Sequence, residues 1–210
     1  MQTPETSDHA VDARRTAPTG TTAEALPGIV ESALAAAEHP LVLGISGHAG
    51  AGKSTLARDL VEQVGGAVRM RGDDFLDPAR SHHRSPDWAG VERVRLRDTV
   101  LRPFRERRTA SFRRFDWGRR ALGEPEPVPT GRLLVVDLIG LFHPEVLAEL
   151  DLRVWCELDP ATAAERGMAR DHALGRDHDR LWREVWVPNE RDFAERFAPR
   201  EAATHVVATG

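Results

Sequence analysis

Residues 41–60 read LVLGISGHAGAGKSTLARDL, and the rest of the chain is interpreted outward from them. Leu41, Val42, Leu43 and Ile45 form an apolar run too short for a helix and suited to a buried strand. Gly47-x-x-x-x-Gly52-Lys53-Ser54 fills the phosphate-loop pattern G-x-x-x-x-G-K-[ST]. Beyond it, Leu56, Leu60, Val61 and Val64 recur on one helical face, and Gly65-Gly66 stops the helix. Strand, glycine loop and helix are the context that the pattern needs. Glycines let backbone N–H groups close around phosphate oxygens, and the helix N-terminus adds its positive end. Gly47, His48, Ala49, Gly50, Ala51, Gly52, Lys53, Ser54 and Thr55 are therefore the candidate nucleotide-binding residues, with the Ser54 hydroxyl placed for Mg²⁺.

Composition points the same way. Of 29 Lys plus Arg, the only lysine is Lys53. A chain that uses arginine everywhere else keeps a compact ammonium where β- and γ-phosphates meet, a space that a planar guanidinium does not fit. The chain has 210 residues and a net charge of −4. That length suits one α/β domain, and the charge gives no general attraction to nucleic acid or anionic membrane. Arginines crowd residues 93–120, but Glu92, Asp98, Glu106 and Asp116 interleave with them, and no RNA-binding motif appears. No apolar run approaches the ~20 residues of a membrane span. No signal-peptide pattern is present at the N-terminus, so a cytoplasmic protein is expected. The single cysteine, Cys156, lies in an apolar run and reads as a buried strand residue.

Residues 1–24 are polar and read as a disordered tail, leaving 25–210 as one domain. Strands are expected at 67–70, 132–137, 152–158 and 204–209. Helices are expected at 89–102, where Pro103 breaks or kinks the run, and at 160–173, 180–186 and 189–197. Asp159-Pro160 supplies an N-cap and first-turn pair. The alternation predicts an α/β, three-layer phosphate-loop NTPase fold: a parallel five-stranded sheet with helices on both faces and a small lid at about 163–180. Ligands then gather at the carboxyl ends of the strands.

Two strands end in acids. Leu133-Leu134-Val135-Val136 runs into Asp137, the arrangement that holds Mg²⁺ directly or through water. Asp73-Asp74-Phe75 follows the second strand, and either carboxylate could accept a proton from an acceptor hydroxyl. Arg166 and Arg170, four apart on one helical face, and Arg176 beyond them suit a lid that neutralises a phosphoryl group in transfer. The nine histidines show no metal-ligand spacing. A GTPase switch, the alternative of a different class, would read guanine with N-K-x-D, which is absent because the only Asn, Asn189, precedes Glu190.

The ordered set GISGHAGAGKST, RGDDF, FRRFDW, LLVVD and DLRVWCELDPATAAERGMARD resembles the uridine kinase-like branch of phosphate-loop kinases, which also holds phosphoribulokinase and bacterial-type pantothenate kinase. The resemblance runs from about residue 40 to the C-terminus. It implies a kinase that uses ATP or GTP with Mg²⁺ to phosphorylate a hydroxyl of a nucleoside or nucleoside-like small molecule. A non-nucleoside alcohol and a degenerate nucleotide-binding protein are the alternatives. The resemblance favours Asp73 as base, Asp137 for the metal, Phe115 and Asp116 near the nucleoside, and Arg166 and Arg170 in the lid. With Asp74, Phe75, Asp87 and Arg176, Phe115 and Asp116 make up the expected substrate-binding set. The expected partners are the nucleotide and a small-molecule acceptor, with a homo-oligomer compatible. Leu76 and Leu138 depart from the Tyr and Gly of the family pattern, and the chain has no tyrosine.

Overall fold

The computed structural model describes residues 17–116, 118–119 and 121–210. The first part of the expected tail (1–16), Trp117 and Arg120 fall outside the described residues. The chain runs β1 (Thr19–Thr21), α1 (Leu26–Ala36), β2 (Leu41–Gly47), α2 (Lys53–Gln63) and β3 (Ala67–Arg71). A 3₁₀ turn (Gly72–Phe75) and α3 (Pro78–Ser81) lead to α4 (Arg93–Leu96) and α5 (Arg102–Arg105). A hairpin of β4 (Ser111–Asp116) and β5 (Ala121–Pro127) follows, then β6 (Leu133–Asp137), α6 (Pro144–Leu147), β7 (Leu152–Glu157) and α7 (Pro160–Ala173). The chain ends with α8 (Asp179–Leu181), α9 (Val187–Phe197) and β8 (His205–Ala208).

Six strands form one sheet in the order β1-β8-β7-β2-β6-β3, and every pairing in it is parallel. The expected sheet had five strands. The sixth is β1, which lies in the segment expected to be a disordered tail and pairs Thr19–Thr21 with His205–Val207. Side chains alternate across a strand, and two buried clusters divide accordingly. Val42, Leu134 and Val136 face one cluster; Leu41, Leu43, Ile45, Leu133 and Val135 face the other, together with Leu56, Ala57 and Leu60 of α2. β2 and β6 are therefore apolar throughout because both of their faces are covered.

Two helical runs continue where prolines were expected to break or separate them. A π turn (Arg97–Leu101) joins α4 to α5, and another (Trp182–Trp186) joins α8 to α9. Pro103 and Pro188 follow these turns within two residues. A wider turn just N-terminal to a proline accommodates the missing N–H and the ring. The first run starts at Arg93 rather than at 89.

Candidate active site at the carboxyl ends of the strands

Strand parity builds the site. Asp137 continues the series Leu133, Val135, so its side chain faces α2. The first turn of α2 carries Ser54, whose hydroxyl donates to Asp137 Oδ2 at 2.6 Å. The two motifs read separately in sequence thus meet at one point. Asp137 is only 5% exposed.

The loop between β2 and α2 is shaped by its glycines. Gly50 (φ 89°) and Gly52 (φ 83°) adopt left-handed backbone, which residues with a Cβ rarely occupy. A Cβ on Gly50 would also lie 2.0 Å from the carbonyl oxygen of Ala163, so the loop packs directly on the first turn of α7. Lys53 is half-buried, and its ammonium donates to the carbonyls of Gly47 (3.0 Å) and His48 (2.8 Å). Burial lowers its pKa, opposed by the charges of Glu190, Cys156, Asp73 and Asp137. Thr55 is exposed and accepts from Arg58.

The tandem acids after β3 separate by environment. Asp73 is exposed, and its charge acts on both Lys53 and Arg69. Asp74 is buried and paired with Arg114 of β4 at 3.1 Å. Burial pushes the Asp74 carboxyl up, against the pull of Arg114. Phe75 is fully buried, stacked on Phe112 and covered by Arg95, so it serves the core rather than a ligand surface. Phe115 is also buried, and Asp116 accepts the N–H groups of Gly118 and Arg119, closing the hairpin turn. Asp87 accepts the Ser85 hydroxyl and borders a cleft of about 310 Å³ with Arg93, His143 and Glu145.

The residues expected in a lid divide as well. Arg166 donates to the Thr209 carbonyl at 3.0 Å, and the Thr209 side chain approaches Gly52, so Arg166 ties α7 and the C-terminal strand to the loop. Arg170 and Arg176 are exposed. Beside them the buried Asp171 accepts from Trp182 Nε1 (3.0 Å) and lies 3.1 Å from His178 Nδ1, anchoring the end of α7 to the last helical run.

Three residues complete the site without having been picked out of the sequence. Arg69 pairs with Asp137 through one guanidinium edge, Nε donating to Oδ1 and Nη2 to Oδ2, each 2.8 Å. Glu190, 8% exposed on α9, accepts the Ala49 N–H at 2.7 Å and lies 2.8 Å from His48 Nδ1. Arg93, 3% exposed, donates to the carbonyls of Gly140 and Asp87 and fixes the loop that follows Asp137. Burial lowers the Arg93 pKa to about 10.

The donor set suits a magnesium–nucleotide complex. A hydroxyl and a carboxylate converge at a phosphate loop, and phosphates and waters usually complete such a magnesium shell. Among the described residues no cluster of three or more His, Cys, Asp or Glu forms an all-protein metal cage.

No protein-family model and no curated protein matches the sequence. Solved structures do match in three dimensions. A protein from Bacillus stearothermophilus described as a possible uridine kinase superposes with TM-score 0.64 at 16% identity, over 86% of this chain and 96% of its own. A protein from Silicibacter sp. TM1040 described as a putative fructose transport system kinase reaches TM-score 0.69 at 20% identity, over 89% and 99%. This chain has the fold of the uridine kinase-like phosphate-loop kinases. Those alignments cover nearly all of both neighbours. Among the described residues no helix of this kinase fold is long and apolar enough to cross a membrane.

Proposed function

We propose that the protein is a kinase that moves the γ-phosphoryl group of ATP or GTP to a hydroxyl of a small molecule, a nucleoside or nucleoside-like compound. The contact between Ser54 and Asp137 carries this reading. It joins the start of the phosphate-loop helix to the strand-end acid, and Asp73 stands beside the same cations. Ser54 and Asp137 would hold Mg²⁺, which neutralises phosphate charge when bound. Lys53 leaves its resting contacts with the loop carbonyls to bridge β- and γ-phosphates. Asp73 would orient the acceptor hydroxyl and take its proton as the new oxygen–phosphorus bond forms and the γ-phosphorus separates from the departing nucleoside diphosphate. Arg166 and Arg170 add positive charge from the lid and help to exclude water.

A non-nucleoside alcohol is the second reading. Phe115 and Asp116 are occupied in the core and turn of the hairpin, which leaves fewer groups for a nucleoside. A neighbour of the same fold is assigned to a sugar system. The deciding experiment incubates the protein with Mg²⁺ and ATP or GTP against nucleosides, hexoses, pantothenate and small polyols, with products read by mass spectrometry. Lys53→Ala serves as the blank and is expected to abolish transfer. A phosphorylated product made equally well by Lys53→Ala would refute the assignment. Tight nucleotide binding with no product from any acceptor would favour a binding-only protein.

A further inference from the structure

Both oxygens of Asp137 are already engaged. Its two oxygens accept from Arg69 Nε, Arg69 Nη2 and Ser54 Oγ at 2.8, 2.8 and 2.6 Å. The Arg69 contact is the planar, two-bond pairing that arginine makes best with carboxylates. It also follows from the fold. Val68 and Met70 of β3 face the cluster away from α2, while Ala67 packs in the cluster that contains α2. By alternation Arg69 shares the Ala67 face. β3 pairs with β6 with Arg69 opposite Val135 and Arg71 opposite Asp137, so Arg69 reaches diagonally across the strand pair to the acid. Asp73, the other acid near the site, also acts on this guanidinium. A full positive charge is therefore paired with the carboxylate where a divalent cation is expected.

We propose that Arg69 is a positioning residue that keeps Asp137 in an ion pair until a phosphate-borne divalent cation takes its place, so that the nucleotide-free protein does not take up free Mg²⁺ or Mn²⁺. The inference rests on the reading of Asp137 as the metal carboxylate of a nucleotide-using kinase. Two cations cannot share one low-dielectric carboxylate without strong mutual repulsion. Arg69 therefore excludes a free ion, whereas a cation that arrives with a triphosphate brings enough negative charge to draw the guanidinium away. Once released, Arg69 remains beside the anionic ligand and contributes positive charge to it. Asp137 is never left buried and unpaired, a state that is strongly unfavourable.

The test is direct Mn²⁺ binding to the full chain, followed by the electron paramagnetic resonance of free Mn²⁺, without nucleotide and then with ATP. Wild type is expected to take up Mn²⁺ only with ATP. Arg69→Gln keeps hydrogen-bond donors but removes the charge, and is expected to bind nucleotide-free Mn²⁺ at least about tenfold more tightly than wild type. The double variant Arg69→Gln with Asp137→Asn should lose that gain. Arg69→Met, which keeps the apolar stem and removes the charge, is the second variant if the first does not fold, and it too should bind Mn²⁺ more tightly than wild type. Nucleotide-free Mn²⁺ uptake by wild type as tight as by the variant overturns the proposal, as does a folded Arg69→Gln protein that gains none. A purely structural ion pair would lower stability in the variant without moving Mn²⁺ affinity. Failure of the kinase reading itself shows elsewhere, as absence of ATP binding by wild type, while the nucleotide-free arms still report on Arg69.

Discussion

At the scale of residues, neighbours in sequence take opposite roles because their surroundings differ. Asp73 and Asp74 are chemically alike. Asp73 is exposed and its charge acts on Lys53 and Arg69, whereas Asp74 is buried against Arg114. Asp73→Asn is expected to lower kcat by about 10²- to 10⁴-fold, the usual contribution of a general base, with nucleotide affinity little changed. For Asp74 the sign runs the other way from an ordinary buried ion pair. Its carboxyl is pushed up by burial, so ionising it costs stability. That cost is absent at pH below the unfolded value and appears as pH rises through the folded one. Asp74→Asn, which mimics the protonated acid, should therefore fold at least as stably as wild type at neutral pH and keep kcat within about tenfold. Steady-state kinetics and urea unfolding of the two variants check both statements; a large kcat loss in Asp74→Asn alone would exchange the roles. The sequence made Lys53, Ser54 and Asp137 legible because each belongs to a pattern with fixed local spacing. Arg69 and Glu190 were not legible. Arg69 reaches its acid through strand register, and Glu190 meets Ala49 across 141 residues.

At the scale of elements, Ala198 ends α9 in left-handed backbone at φ 43°, with its N–H donating to the Ala194 carbonyl. This is the position at which glycine commonly closes a helix, because a Cβ is strained there. Ala198→Gly is expected to stabilise the protein by about 1 kcal/mol, raising Tm by about 3 °C in a chain of this size, measurable by calorimetry. No change or a loss would mean that the α9 terminus is held by packing rather than limited by strain. The same element shows where sequence patterns stop being informative. β2, β6 and α7 were legible because apolar runs and the Asp159-Pro160 cap mark them densely. The hairpin was not, since β5 reads ALGEPEP and buries almost nothing. Two prolines inside continuous helical runs were equally misleading, because the compensating π turns leave no sign in composition.

At the scale of the whole molecule, the sheet's centre provides a probe of global unfolding. Cys156 is fully buried in β7, pairs with Gly47 on one side and Val207 on the other, and is the chain's only cysteine. Burial raises its thiol pKa from 9.0 to about 12. A raised acid pKa favours the folded state while the thiol stays protonated. That contribution is complete below about pH 9 and is lost as pH rises toward 12. A thiol reagent should thus leave the native protein unmodified and label it only through unfolding, with stability declining over that alkaline window. Because Gly47 begins the phosphate loop, nucleotide binding and exposure of Cys156 are coupled through the same strand pair. With nucleotide at one hundred times its Kd, labelling through global opening should slow about 100-fold, the factor that mass action sets for a ligand binding only the folded state. Lys53→Ala should show the same unliganded labelling rate and no slowing at that nucleotide concentration. Equal slowing in both proteins would mean that nucleotide binds away from the loop. Fast labelling of native wild type would mean that the sheet opens locally at β7 rather than as a unit.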